Sequence, residues 1–220
     1  MRDFVANRLR LIFLMTVAIA GFGMQSPAIA GAYDDYFSAV KIDNASAVTS
    51  LLRRGFDPNT VEPERGDTGL IVALRENSMK VFNVLLHAPN VNLEAKIRNG
   101  DTALMIAAFK ENKPAVEALL NKGVQVNRPG WTALHYAAAV GNREIVSLLL
   151  EKYAYIDAES PNKTTPLMMA AQYGSEDSVR LLLEHGADPS RRNQRELSAA
   201  DFAKLAGRDS LAAKLRKLQR

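Results

Sequence analysis

The sequence predicts an all-α solenoid of about six stacked helix pairs behind a short export signal. Three observations carry this expectation. Four segments superimpose without a gap: "DTGLIVALRENSMKVFNVLL" from Asp67, "DTALMIAAFKENKPAVEALL" from Asp101, "WTALHYAAAVGNREIVSLLL" from Trp131 and "TTPLMMAAQYGSEDSVRLLL" from Thr164. Each holds two short apolar stripes at helical spacing with a break between them. The first thirty residues differ in kind from everything that follows.

Those thirty residues open on "MRDFVANRLR", where Arg2, Arg8 and Arg10 outweigh Asp3. The apolar run "LIFLMTVAIAGFGM" and then "QSPAIA" follow, with small Ala28 and Ala30 around Ile29. That order is expected of a secretory signal peptide over residues 1–30, cleaved after Ala30. An uncleaved anchor is the rival, but a spanning helix needs ~20 apolar residues. No later segment is apolar enough to cross a bilayer, so no membrane insertion is expected after cleavage.

The array is divided at approximately 31–63, 64–97, 98–127, 128–160, 161–193 and 194–220. Its threonines, Thr68, Thr102, Thr132 and Thr165, are spaced 34, 30 and 33 residues apart. Leucine falls two residues after each, alanine five after, and a Leu-Leu pair seventeen and eighteen after. Repetition at this period is the mark of a stacked architecture. Threonine at the start of each first helix caps free N–H groups. Gly141 or Gly174 in the break supplies a helix-ending conformation. Two looser copies flank the four: one places Ala39 and Leu51-Leu52 at the same offsets from Asp34, the other places Ser198 in the threonine position. End units of a stack must be atypical and more polar, so these are expected caps.

These residues resemble the ankyrin repeat. "GWTALHYAA" and "TTPLMMAA" match its T-P-L-H-x-A-A core, and "SVRLLLEHGADPS" matches its second helix and turn. The resemblance implies a curved stack of helix pairs with projecting β-hairpin fingers, binding a partner protein through finger tips and the groove of first helices. It also implies that His135 sits at a structural position, where its side chain tethers turns by hydrogen bonding; Ile71, Met105 and Met168 replace it elsewhere. The simple signal peptide and plain array look like a Gram-negative periplasmic protein, with extracellular release as the second expectation.

Composition narrows the function. With 47% hydrophobic and 24% charged residues the chain has a folded, soluble composition. It has no cysteine, which excludes disulfides and a cysteine-borne lipid anchor. Without the signal segment the formal charge falls from +4 to +2, too little for a nucleic-acid binder. Basic residues nevertheless crowd the C-terminal end, among them Arg191, Arg192, Arg195, Lys204, Arg208 and Lys214. They form either a solvated end or a docking end for an acidic partner.

No catalytic constellation is present: no G-x-S-x-G elbow, no phosphate-binding glycine loop and no H-E-x-x-H. His87, His135 and His185 lie in three repeats at different offsets, so no metal site is expected, and no cofactor either. A non-enzymatic, monomeric adaptor binding another protein is the leading expectation. An inhibitor or immunity-type protein blocking a toxin or enzyme is the alternative, and an accessory subunit of a periplasmic stress enzyme a third.

The family's contact positions fall just before the threonine and seven and eight residues after it. Carried onto this chain, they make Trp131, Phe109, Tyr173, Arg128, Arg98, Asp101, Lys110 and Gln172 the candidate partner-binding residues. Exposed aromatics beside arginine have the composition of an interface hot spot. Trp131 has a plainer reading as well, packing on the neighbouring finger, and Tyr136 is expected half buried in helix packing. The connection between Leu120 and Thr132 has eleven residues against fourteen or fifteen elsewhere, and contains Pro129. Proline lacks an amide donor, so the hairpin ladder is expected to be reduced there. The deletion is either neutral or a notch through which a partner reaches Trp131.

Overall fold

The computed structural model describes residues 27–219. The chain divides into two compact units, residues 1–35 and 36–220. Helix α1 (Pro27–Lys41) begins in the first and contains the Ala30–Gly31 bond at which cleavage is expected. The rest of the expected signal peptide, residues 1–26, lies outside the described residues. No helix among the described residues is long and apolar enough to cross a membrane.

Within the second unit the helices follow in pairs: α2 (Ala45–Arg53) after α1, then α3 (Gly69–Arg75) with α4 (Met79–Leu86), α5 (Ala103–Phe109) with α6 (Lys113–Asn121), α7 (Ala133–Val140) with α8 (Arg143–Glu151), α9 (Pro166–Gln172) with α10 (Glu176–Glu184), and α11 (Ala199–Leu205) with α12 (Asp209–Leu218). The first helices form a continuous row, α3 on α5 on α7 on α9 on α11. Their alanines make this possible: Ala73, Ala107, Ala137, Ala170 and Ala203 are wholly buried. The leucine two after each threonine, from Leu70 to Leu167, fills the space between layers. Burying one such leucine contributes about 2 kcal/mol.

Caps divide the labour by helix. Thr68 and Thr165 accept the backbone N–H of Ile71 and Met168 at the starts of α3 and α9. Asn44, Asn112 and Asn142 do the same for the second helices α2, α6 and α8. The two break glycines act differently. Gly141 ends α7 in the left-handed conformation at φ +77°. Gly174 does not; a Cβ there would strike the carbonyl of Ala138, so the requirement is close approach of α9 to α7. Arg208, part of the basic C-terminal cluster, spends its guanidinium on the carbonyls of Ala170, Ala171 and Gly174 at 2.9–3.1 Å, satisfying the end of α9.

The expected fingers are tight turns and not ladders. Two backbone bonds close each: the N–H groups of Glu62, Ile97, Ser160 and Asn193 donate to the carbonyls of Asp67, Asp101, Thr164 and Leu197 at 2.9–3.0 Å, and their own carbonyls accept from Gly66, Gly100, Lys163 and Glu196 at 2.8–3.1 Å. The first adds an isolated bridge between Val61 and Thr68. The shortened connection has no equivalent bond from Asn127 to Trp131 among the described residues.

Asn127 is engaged elsewhere. Its side chain donates to the Tyr153 carbonyl and accepts the Tyr155 N–H, both at 2.7 Å. Asn59 clamps Asn90 and Asn92 in the same way one pair of units earlier. This places Tyr153 beside Asn90, Gly55, Gly123 and Gly186 as the left-handed residue after a second helix. Tyr153 alone of these is bulky, at φ +62°, and it is 85% exposed, so no packing offsets the strain. A left-handed non-glycine residue costs roughly 1–2 kcal/mol, part of which glycine returns as unfolded-state entropy. Tyr153→Gly is therefore expected to raise stability by about 0.5–1 kcal/mol in urea denaturation. Gly174→Ala should lower it by about 1–3 kcal/mol in the same assay. A loss of stability in Tyr153→Gly would contradict the strain account.

Candidate functional site

His135 fixes the geometry around the candidate contact surface. It is wholly buried in α7. Its Nδ1 accepts the backbone N–H of Thr132 at 3.2 Å and faces the Thr132 hydroxyl at 2.9 Å. Its Nε2 lies 2.9 Å from the carbonyl oxygen of Thr164, which can only accept. The ring therefore carries its proton on Nε2 and is neutral, with both nitrogens used. Burial pushes its pKa down to about 4, against smaller opposing contributions from the Thr164 and Ala158 carbonyls. The tether runs between two successive turns and leaves no nitrogen for catalysis.

Trp131 stands edge-on to that ring, centroids 5.2 Å apart and planes at 75°. Tyr136 lies 6.4 Å from Trp131, and Phe109 meets Tyr136 edge-on at 6.0 Å. The Tyr136 hydroxyl donates to Asp101 at 2.6 Å. Burial, and then that bond, push the Tyr136 pKa up. Phe109, Tyr136 and Trp131 thus form one connected aromatic strip across two units.

Beyond Trp131 opens a cleft of about 300 Å³. Trp131, Met169, Tyr173, Phe202 and Leu205 form its apolar walls, and Arg195 is the single charged residue lining it. Tyr173 and Leu205 are 64% and 65% exposed, large apolar surfaces that the chain itself leaves uncovered.

The candidate residues separate into two groups. Trp131, Gln172 and Tyr173 share the cleft. Phe109, half exposed, joins it through Tyr136, and Lys110 is exposed beside it. The others do not line it. Arg98 is exposed and donates to the Pro63 carbonyl at 2.6 Å. Asp101 is buried, with its carboxylate engaged by Tyr136 and Asn99. Arg128 is only 12% exposed and pairs with Glu94 at 2.8 Å. Glu94 also accepts the Gln125 N–H, at 2.6 Å.

Leu205 was absent from the residues singled out by sequence, although it falls seven after Ser198, the groove offset of Phe109 and Tyr173 plus or minus one residue. Applying the same offset to the looser last unit would have found it. Among the described residues no three His, Asp or Glu side chains are grouped to hold a metal ion. His87 and His185 each contact a carbonyl of their own helix.

A family profile described as "Ankyrin repeats (3 copies)" matches residues 37–129 and 122–193. The chain belongs to the ankyrin-repeat family. Human SH3 and multiple ankyrin repeat domains protein 2 is 32% identical over 170 residues, 75% of this chain and 9% of that protein. Protein glp-1 of Caenorhabditis elegans is 30% identical over 82% of this chain and 15% of its own length. The chain thus spans only a small part of these relatives. Two solved structures are similar in fold. One is a chain from the complex of Bd0816 predatory endopeptidase of Bdellovibrio bacteriovorus with immunity protein Bd3460, at TM-score 0.71, 27% identity and coverage of 83% of this chain and 97% of that one. The other is the ankyrin-repeat domain of Bcl-3, at TM-score 0.69 and 26% identity, covering 83% of this chain and 81% of that one.

The buried histidine makes stability depend on pH. Its folded pKa, about 4, lies below the unfolded value near 6.5, so the unfolded chain binds the proton more readily. The stabilisation is present in full above the unfolded value and is lost as pH falls from there towards 4. It amounts to about 3 kcal/mol at most. His135→Met, the residue found at this position in two sister units, should flatten the pH dependence of urea midpoints between pH 7 and 4. Parallel slopes for the two proteins would refute this role.

Proposed function

We propose that the chain is an exported, non-enzymatic binding module that holds one partner protein against the Phe109–Trp131–Tyr173–Leu205 face. The observation that carries this reading is that face itself: Phe109, Tyr173 and Leu205 are left exposed at the groove offsets of the third, fifth and sixth units, with the partly exposed Trp131 beside them. Aromatic anchors of this kind supply most of the affinity in protein interfaces, while the surrounding polar rim excludes water. Export to the periplasm, or beyond it, rests on the composition of residues 1–30.

Two uses of such a module differ in outcome. An adaptor recruits or stabilises its partner; an immunity-type inhibitor covers an enzyme's active surface. The Bdellovibrio complex favours the second, because the likeness extends over 97% of a whole chain at 27% identity, whereas the curated relatives match as fragments of much larger proteins. On this reading the partner is an exported hydrolytic enzyme, and binding occludes it.

Capture with tagged chain beginning at Gly31, from the compartment in which it accumulates, should yield a single stoichiometric enzyme. The triple substitution Phe109→Ala, Tyr173→Ala and Leu205→Ala truncates side chains that are half or more exposed. It should weaken that capture by roughly 30-fold or more while leaving the helical circular dichroism intact. Undiminished capture would sink the face, and recovery of several unrelated proteins would return the adaptor reading. A purified chain still starting at Met1 would refute export with cleavage.

A further inference from the structure

The cleft beside Trp131 has a definite size and polarity, and these specify more than a contact surface. Its volume of about 300 Å³ is at the small end for a ligand site, suited to one side chain. Its walls present the Trp131 indole, the Tyr173 ring, the Met169 thioether and the aliphatic Leu205, surfaces that accept a flat apolar group. At its mouth stands Arg195, whose side chain makes no hydrogen bond or ion pair among the described residues. Lys204 and Lys163, beside the lining residues Leu205 and Thr164, are likewise exposed and unpaired.

Carboxylates near this end of the array are largely engaged: Asp201 with Ser198 and Arg216, and Glu159 with Arg191. Glu196 is exposed one residue from Arg195 but does not line the cleft. The available charge around an apolar slot is therefore positive. From this we infer that the cleft is a subsite for an aromatic side chain flanked by a carboxylate, carried on an extended acidic segment of the partner protein. The ring enters between Trp131 and Tyr173, and the carboxylate takes the guanidinium of Arg195 at the rim, where charge pairing gives specificity more than affinity.

This inference rests on the proposed binding role of the same face, and a test independent of the partner separates the two. Trp131 is the only tryptophan and forms a wall of the cleft, so its fluorescence reports occupancy directly. The probe is acetyl-Asp-Phe-Asp-amide, titrated into the whole chain beginning at Gly31. Its controls are acetyl-Asn-Phe-Asn-amide, which lacks the charge, and acetyl-Asp-Ala-Asp-amide, which lacks the ring. The expected result is a saturable change in Trp131 emission with the first peptide and none with the alanine peptide. Affinity should be about threefold or more weaker for the neutral peptide, and similarly reduced in the exposed substitution Arg195→Gln.

No saturable change at tens of millimolar peptide would overturn the subsite, and equal affinity of the acidic and neutral peptides would overturn its acidic half. An unchanged response in Arg195→Gln would do the same. Emission that shifts with protein concentration alone would place a second copy of the chain in the cleft and also overturn the assignment. If the peptide fails while Tyr173→Ala still weakens partner capture, the subsite falls and the binding face stands.

Discussion

Helices of seven to ten residues do not hold their shape alone in water, and from α2 onward this array contains no others. Everything else in the structure follows from that constraint. A first helix such as α5 (Ala103–Phe109) buries six of its seven residues, a fraction no single pair could achieve. It must be covered by α3 on one side and α7 on the other. The cover then has to be thin, which is why alanine recurs five after each threonine and why Gly174 tolerates no Cβ. Phe109, Tyr173 and Leu205, at the exposed ends of α5, α9 and α11, escape this covering. The same packing that demands burial along the helix thus delivers exposed apolar side chains in a row at its end.

Repetition supplies positions, and single side chains decide what is done with them. Asp67 and Asp101 occupy the same place before a threonine and are both buried. Asp101 receives the hydroxyl of Tyr136 from the next unit, whereas the residue equivalent to Tyr136 one unit earlier is Ile106. Accordingly Asp67 pairs one oxygen with Arg75 at 2.6 Å, and its other, Oδ1, is buried with no hydrogen-bond partner. A buried acceptor left unpaired costs about 1–3 kcal/mol. Tyr136 therefore serves twice, completing a buried carboxylate and linking Phe109 to Trp131 in the aromatic strip.

The helix pairs and their order were legible because they depend on spacing and residue type alone; the structural part played by His135 came from the resemblance to the ankyrin core. Thr68 and Thr165 cap as their position suggests, Thr102 makes no such bond, and small alanines mark the row of first helices. What spacing could not convey is direction. Arg128 and Asp101 fall at offsets that usually face a partner, yet both turn inward, one to Glu94 and the other beneath Tyr136. Each finds an opposite charge or donor within reach, and a polar group near an apolar stack gains more from that partner than from water. Tyr153 was legible too: it falls three residues after Leu150, as Gly55, Gly123 and Gly186 fall three after Leu52, Leu120 and Leu183, and all four are left-handed.

The shortened connection ties these strands together. Elsewhere neighbouring fingers are joined by backbone, Arg98 to Arg65 and Gln194 to Asn162. Across the fourth unit, where three residues are missing and Pro129 removes a donor, the side chain of His135 carries the link to Thr164, while Asn127 holds Tyr153 and Tyr155 by the clamp that Asn59 also makes on Asn90 and Asn92. Backbone bonds between turns are indifferent to pH, and so are the amide bonds of Asn127, but the His135 link is not. The residues that hold the fourth and fifth units in register, Trp131 against His135 and Thr164 beneath it, are also walls of the cleft. The Trp131 wall of the cleft thus stands against the neutral imidazole that ties the fourth turn to the fifth.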